Sequence, residues 1–245
     1  MRTEHYGGLT VRITGGTDRN GGGTGPLIVL LHGYGAPGTD LVGLWREVNV
    51  PSSVRFAFPE APIALNLGFG EPGRAWWNID MAALQRVSIT RDYEALANNV
   101  PEGLVEAREQ LSLHLELLKE QLQVPDAQLL LGGFSQGAML SCELAFETPL
   151  PLAGLCVLSG TLIHRSAWQP HMAARKGLAV LQSHGRADPI LPFALAERLR
   201  DDMLGAGLQV QFIPFNGGHG IGGSVLDGLQ SLITRTLVKP VVGGA

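Results

Sequence analysis

The chain has 245 residues, 45% of them hydrophobic and 16% charged, with 33 glycines, 15 prolines and a formal net charge of −4. That apolar content excludes a disordered chain, the lack of a three-residue glycine period excludes collagen, and the charge offers no basic field to nucleic acid. One domain over residues 1–245, built on a single core, is the expectation.

The N-terminus, Met1 to Gly8, carries Arg2, Glu4 and His5 and lacks an apolar run, so no secretory signal is read and the cytoplasm is expected. The chain then alternates short apolar runs with helical patterns. A strand at Leu9–Thr14 is followed by the flexible turn Gly15–Gly25, a strand at Leu27–His32, a helix at Asp40–Val48 and a strand at Val54–Phe58. Ala61–Thr90 reads as a long connection without clear periodicity, rich in Gly, Pro and Trp. A helix is predicted from Pro101 to Gln123, with proline in its first turn and leucines at 104, 111, 115, 118 and 122 on one face. A strand at Gln128–Gly133, a helix at Gln136–Glu147 and strands at Gly154–Ser159 and Leu178–His184 come next. A helix at Phe193–Leu204, a strand at Leu208–Pro214 and a helix at Ser224–Leu237 complete the series. Strand and helix in alternation predict an α/β fold, a mostly parallel central sheet with helices on both faces. The longest stretch without Asp, Glu, Lys or Arg, Met203 to Leu226, is broken by glycines and polar residues, so no stable membrane insertion is expected. Cys142 and Cys156 leave a pairing open, but both sit in apolar surroundings, where a free buried thiol is the commoner state.

The chemistry centres on Gly133-Phe134-Ser135-Gln136-Gly137. This Gly-x-Ser-x-Gly directly follows an apolar strand and directly precedes a helix. In that setting two glycines allow a sharp turn and leave the serine oxygen exposed. A serine nucleophile needs a base, and the base an orienting acid, in the chain order Ser, Asp or Glu, His on this scaffold. Of the histidines after Ser135, His219 lies in Asn216-Gly217-Gly218-His219-Gly220, just past the last strand, where small neighbours free its ring. His184 ends an apolar strand and reads as a packed core residue, and His164 and His171 lie on a polar connection without metal-site spacing. Glu143 and Glu147 point along the helix after the serine, and Glu197, Asp201 and Asp202 read as solvated. Asp188 remains, at the carboxyl end of a strand, where sites on open parallel sheets form. The oxyanion needs two N–H donors, expected from Gln136 and from Tyr34 in the loop His32-Gly33-Tyr34-Gly35. A rival reading takes Gly33-x-Gly35-x-x-Gly38 as a dinucleotide fingerprint of an oxidoreductase, with Glu60 a poor substitute for its acidic partner.

Together these segments resemble the phospholipase/carboxylesterase family of serine hydrolases, which includes acyl-protein thioesterases. The matching stretches are His32–Gly35, Gly133–Ala138, Leu158–Gly160, Ser183–Pro192 and Gly217–Gly220. The resemblance implies an α/β-hydrolase fold, a Ser135–Asp188–His219 triad, oxyanion donors at Tyr34 and Gln136, and no metal or organic cofactor. Only eighteen residues run from Gly160 to Gly177, too few for a large cap domain. A serine carboxylesterase working through an acyl-serine is the expected function, with a thioesterase or lysophospholipase as the alternative. Its partner would be a small-molecule ester, a lipid or an acylated protein. Trp76 and Trp77, with Gly33, are the expected substrate contacts. Ala36-Pro37 and Arg74–Asp80 depart from the thioesterase pattern near the substrate groove.

Overall fold

The structure is a computed structural model that describes residues 1–66 and 72–238. Residues 67–71, within the long connection, and 239–245, at the end of the expected domain, lie outside the described residues. The strands are β1 (Arg2–Tyr6), β2 (Leu9–Gly16), β3 (Asn20–Gly22), β4 (Leu27–Leu31), β5 (Arg55–Pro59), β6 (Ile63–Leu65), β7 (Gly73–Ala75), β8 (Leu129–Phe134), β9 (Gly154–Leu158), β10 (Ala179–Gly185) and β11 (Gln209–Phe215). The helices are α1 (Leu44–Glu47), α2 (Met81–Thr90), α3 (Tyr93–Ala97), α4 (Leu104–Gln121), α5 (Gln136–Glu147), α6 (Arg165–Met172), α7 (Phe193–Gly205) and α8 (Gly223–Leu237).

The main sheet runs β1-β2-β5-β4-β8-β9-β10-β11, with β3 beside β2. From β5 to β11 every neighbouring pair is parallel, whereas β1–β2 and β2–β5 are antiparallel. Successive side chains of a strand leave on opposite faces, so a strand apolar at every position is covered twice. Leu27, Val29 and Leu31 of β4 join Leu131, Leu155 and Val157 under α4 to α7. Ile28 and Leu30 join Leu130, Leu158 and Leu181 under α8, through Val225, Leu229 and Leu232. The leucines predicted for one face of α4 are all buried. Full burial of each contributes about 1.5–3 kcal/mol, so docking on the sheet holds this otherwise polar helix.

Local conformation moves several predicted boundaries. α4 starts at Leu104, not Pro101, because Gly103 takes a left-handed φ of 88° where the chain passes Trp77. The predicted helix at Asp40–Val48 is a 3-10 turn, Asp40–Gly43, followed by the four-residue α1. The long connection is more regular than expected: β6 and β7 form an antiparallel hairpin and α2 follows. Strand β1 and helices α3 and α6 lie where no element was predicted. Between β9 and β10 the chain makes only α6 and a 3-10 turn, so no cap is inserted there. Among the described residues no helix is long and apolar enough to cross a membrane.

Candidate active site

The site lies at the carboxyl ends of β4, β8, β10 and β11. Ser135 follows β8 with φ 54° and ψ −116°, a conformation that costs a non-glycine residue on the order of 1–3 kcal/mol. Tight crossing of strand and helix enforces it. A Cβ on Gly137 would sit 2.2 Å from the carbonyl oxygen of Leu31, and one on Gly133 would sit 2.5 Å from the carbonyl carbon of Gly137. Helix α5, buried from Gln136 to Phe146, cannot retreat to relieve the turn. Its first N–H groups have no acceptor one turn back in the helix and face the edge where Ser135 stands.

Ser135 Oγ and His219 Nε2 are 2.9 Å apart, and His219 Nδ1 is 2.7 Å from Asp188 Oδ2. Since the carboxylate only accepts, Nδ1 carries the proton and Nε2 is free to take one from Ser135. The ring of His219 packs on Phe134, with centroids 4.9 Å apart. Ser159 donates its hydroxyl proton to the carbonyl of Gly220 over 2.7 Å, fixing the loop from behind. The turns that carry Asp188 and His219 are stitched together by main-chain bonds from Arg186 to Phe215 and from Ala187 to Gly217, at 2.9 and 3.0 Å. Oδ1 of Asp188 accepts the N–H groups of Ile190 (2.8 Å) and Leu191 (2.9 Å). Burial pushes this carboxyl's pKa up. The hydrogen bonds from His184, His219, Leu191 and Ile190 overcome that and hold it well below the usual carboxylate range.

The loop after β4 is held as rigidly. His32 is buried, its Nδ1 donating to the carbonyl of Gly33 (2.8 Å) and its Nε2 accepting from Ala61 N–H (3.1 Å). Burial lowers its pKa, in keeping with a neutral ring. Gly35 donates to the carbonyl of Arg74 (2.9 Å), and Arg74 donates back to that of Ala36 (3.0 Å). Glu60 receives Arg12 at 2.8 Å and Arg74 at 2.7 Å. Glu60 is thus spoken for, and the loop leads into a 3-10 turn instead of the long helix a dinucleotide site requires. Gly33 lies against Ser135, since a Cβ there would be 3.3 Å from that of Ser135. Tyr34, half-buried, follows it.

Trp76 and Trp77 are both buried but have different neighbours. Trp76 is buried, donating Nε1–H to the carbonyl of His32 over 3.0 Å, and is a support of the loop. Trp77 lines a cavity of about 790 Å³ with Leu84, Leu96, Met139, Ile163 and Leu191. Met139 is one turn along α5 from Ser135, and the main-chain N–H of Leu191 donates to Asp188, so two residues of the lining are neighbours of that serine and that carboxylate.

Other carboxylates are engaged elsewhere. Glu143 is fully buried between Arg108 (2.9 Å), His164 (3.0 Å) and Trp168 (2.6 Å). Asp202 is not solvated either, forming a two-pronged pair with Arg165 at 2.7 and 2.9 Å. His171 meets Glu147 at 2.8 Å. Both cysteines are buried and free. Among the described residues no three His, Cys, Asp or Glu side chains group closely enough to hold a metal.

A serine on a sharp strand-to-helix turn, with acid and base beyond later strands of a mostly parallel sheet, defines an α/β-hydrolase. The family model described as Phospholipase/Carboxylesterase matches residues 21–237, and the chain belongs to that family. It is 28% identical over 224 residues to acyl-protein thioesterase 1 of Neurospora crassa, covering 86% of this chain and 87% of that protein. With acyl-protein thioesterase 1 of Mycosarcoma maydis it shares 30% identity over 186 residues, 71% of this chain and 73% of the relative. The crystal structure of esterase PE8 superposes with a TM-score of 0.74 at 26% identity, covering 94% and 99% of the two chains. The protein is therefore a hydrolase of the esterase/thioesterase kind.

Proposed function

We propose that the chain is a serine carboxylesterase that hydrolyses carboxylic esters through an acyl-serine intermediate. The reading rests above all on the unbroken hydrogen-bond line from Ser135 through His219 to Asp188, at 2.9 and 2.7 Å. Ser135 Oγ attacks the ester carbonyl while His219 Nε2 takes its proton, and buried Asp188 stabilises the imidazolium formed. The carbonyl oxygen, now negative, accepts the main-chain N–H groups of Gln136 and Tyr34. His219 then protonates the leaving alcohol, whose departure breaks the C–O bond. Water, deprotonated by the same histidine, releases the acid and restores Ser135.

The cavity behind Met139 and Leu191 receives the acyl chain in this reading, with Trp77 as one wall. The relatives named acyl-protein thioesterases favour a second reading in which the leaving group is a protein thiol. The chemistry at Ser135 is the same, so the leaving group alone separates the two.

The test is hydrolysis of p-nitrophenyl esters and matched thioesters of graded chain length, beside fluorophosphonate labelling of wild type and Ser135→Ala. Hydrolysis and labelling lost only in Ser135→Ala are expected. A wild type that neither cleaves an ester nor takes the label overturns the proposal. Trp77→Ala should shift the preferred acyl length upward, and an unchanged profile would remove Trp77 from the acyl site.

A further inference from the structure

The acid turn holds a second histidine that the cycle above does not use. His184, on β10, is fully buried, and its Nε2 lies 2.9 Å from the carbonyl oxygen of Leu191 and 3.3 Å from Oδ2 of Asp188. Both neighbours accept, so Nε2 carries the proton. Nδ1 is also buried and meets no hydrogen-bond partner among the described residues, as suits the ring nitrogen without hydrogen. Phe193 packs on the ring at 6.1 Å between centroids.

Leu191 closes a circuit: its N–H goes to Oδ1 of Asp188 and its carbonyl receives His184, which also reaches Oδ2 of the same carboxylate. We infer that His184 is a positioning residue for the reaction. It fixes the rotation of the Asp188 carboxylate so that one lone pair of Oδ2 is left aimed at His219. A carboxylate buried in this turn has about four acceptor sites to satisfy. Two go to the N–H groups of Ile190 and Leu191 and one to His219, and the Nε2–H of His184, bonded to the Leu191 carbonyl at 2.9 Å, is shared at 3.3 Å with the remaining one. In the Nε2–H tautomer His184 supplies a donor without a second positive charge, leaving the full negative charge of Asp188 to stabilise His219 as it becomes protonated.

The inference rests on the proposed triad, and the test separates the two. In a glutamine side chain the amide nitrogen sits about where imidazole Nε2 lies, and in asparagine about where Nδ1 lies. His184→Gln should therefore keep kcat near wild type. His184→Asn and His184→Leu should lower kcat about tenfold at unchanged KM, the rate equivalent of one charge-assisted hydrogen bond. Asp188→Asn should cost less in the His184→Asn background than alone, because both changes disturb one unit. His184→Asn and His184→Gln are both polar and suffice as a pair if the leucine variant does not fold. Equal kcat for that pair, or additive losses with Asp188→Asn, overturns the inference while wild type remains active. An inactive, unlabelled wild type instead removes the triad beneath it.

Discussion

The side chain of Gln136 has a task separate from its main-chain N–H, and Gln136→Met isolates it. Oε1 accepts the N–H of Trp76 at 3.0 Å, and Nε2 donates to the carbonyl of Trp77 at 2.8 Å, all in the buried interior. Methionine keeps the length and the main chain but removes both bonds, stranding one N–H and one carbonyl. Each stranded group costs about 1–3 kcal/mol, so the loss is about 2–6 kcal/mol. For a chain of this size each kcal/mol lowers Tm by about 2–4 °C, which places the fall at about 4–24 °C. Trp76 also holds the carbonyl of His32, so loosening it reaches the loop that carries Tyr34. A drop in kcat of about tenfold should accompany the lower Tm, the size expected when an oxyanion donor is partly misplaced. Thermal unfolding by circular dichroism and initial rates on a p-nitrophenyl ester measure the two effects. A variant that melts with wild type and keeps its kcat would show that the clamp holds nothing, and the account of the loop would fall with it.

The remaining expectations concern acid, steric fit and thiols. The folded-state pKa of Asp188 lies below its unfolded value of about 3.9, so its stabilisation is complete above that pH and lost as pH falls toward the folded value. Asp188→Asn should thus flatten the loss of stability on acidification, and Tm measured across the acid range checks it. Gly137→Ala would push a methyl carbon to 2.2 Å from the Leu31 carbonyl oxygen, so the variant should fail to accumulate as folded protein, as judged by soluble yield and circular dichroism. Burial pushes the thiols of Cys142 and Cys156 above their ordinary pKa, so native protein should resist a thiol-specific chromogenic reagent, and both should react once it is unfolded.

Strands buried on both faces are easy to read, because β4, β8 and β9 are apolar almost throughout and, like β10, appear within a residue of their predicted bounds. The edge and the connections are harder. β1 alternates half-buried with exposed residues, and α6 carries Pro170 inside it, so its sequence argues against the helix that packing through Trp168 and Met172 imposes. At the candidate site, the structure brings together Ser135, read from its motif, with Asp188 and His219, read from chain order and small neighbours. Ties that depend on approach between distant segments left no local trace: Gln136 to Trp76 and Trp77, Glu60 to Arg74, Ser159 to Gly220. His184 was read correctly as packed, but the side chain that packs also touches Asp188. Only the three-dimensional turn reveals that contact.

The glycines also divide the chain into places where an engineer has room and places where none exists. At Gly133 and Gly137 the space for a methyl group is already occupied by backbone. At Gly43 and Gly205, both in helical turns, a Cβ would meet nothing within 4 Å, and neither carries a positive φ. Alanine at these two positions should stabilise by about 0.4–1 kcal/mol each, by narrowing the unfolded ensemble. Robustness could thus be added at positions outside the strained serine turn.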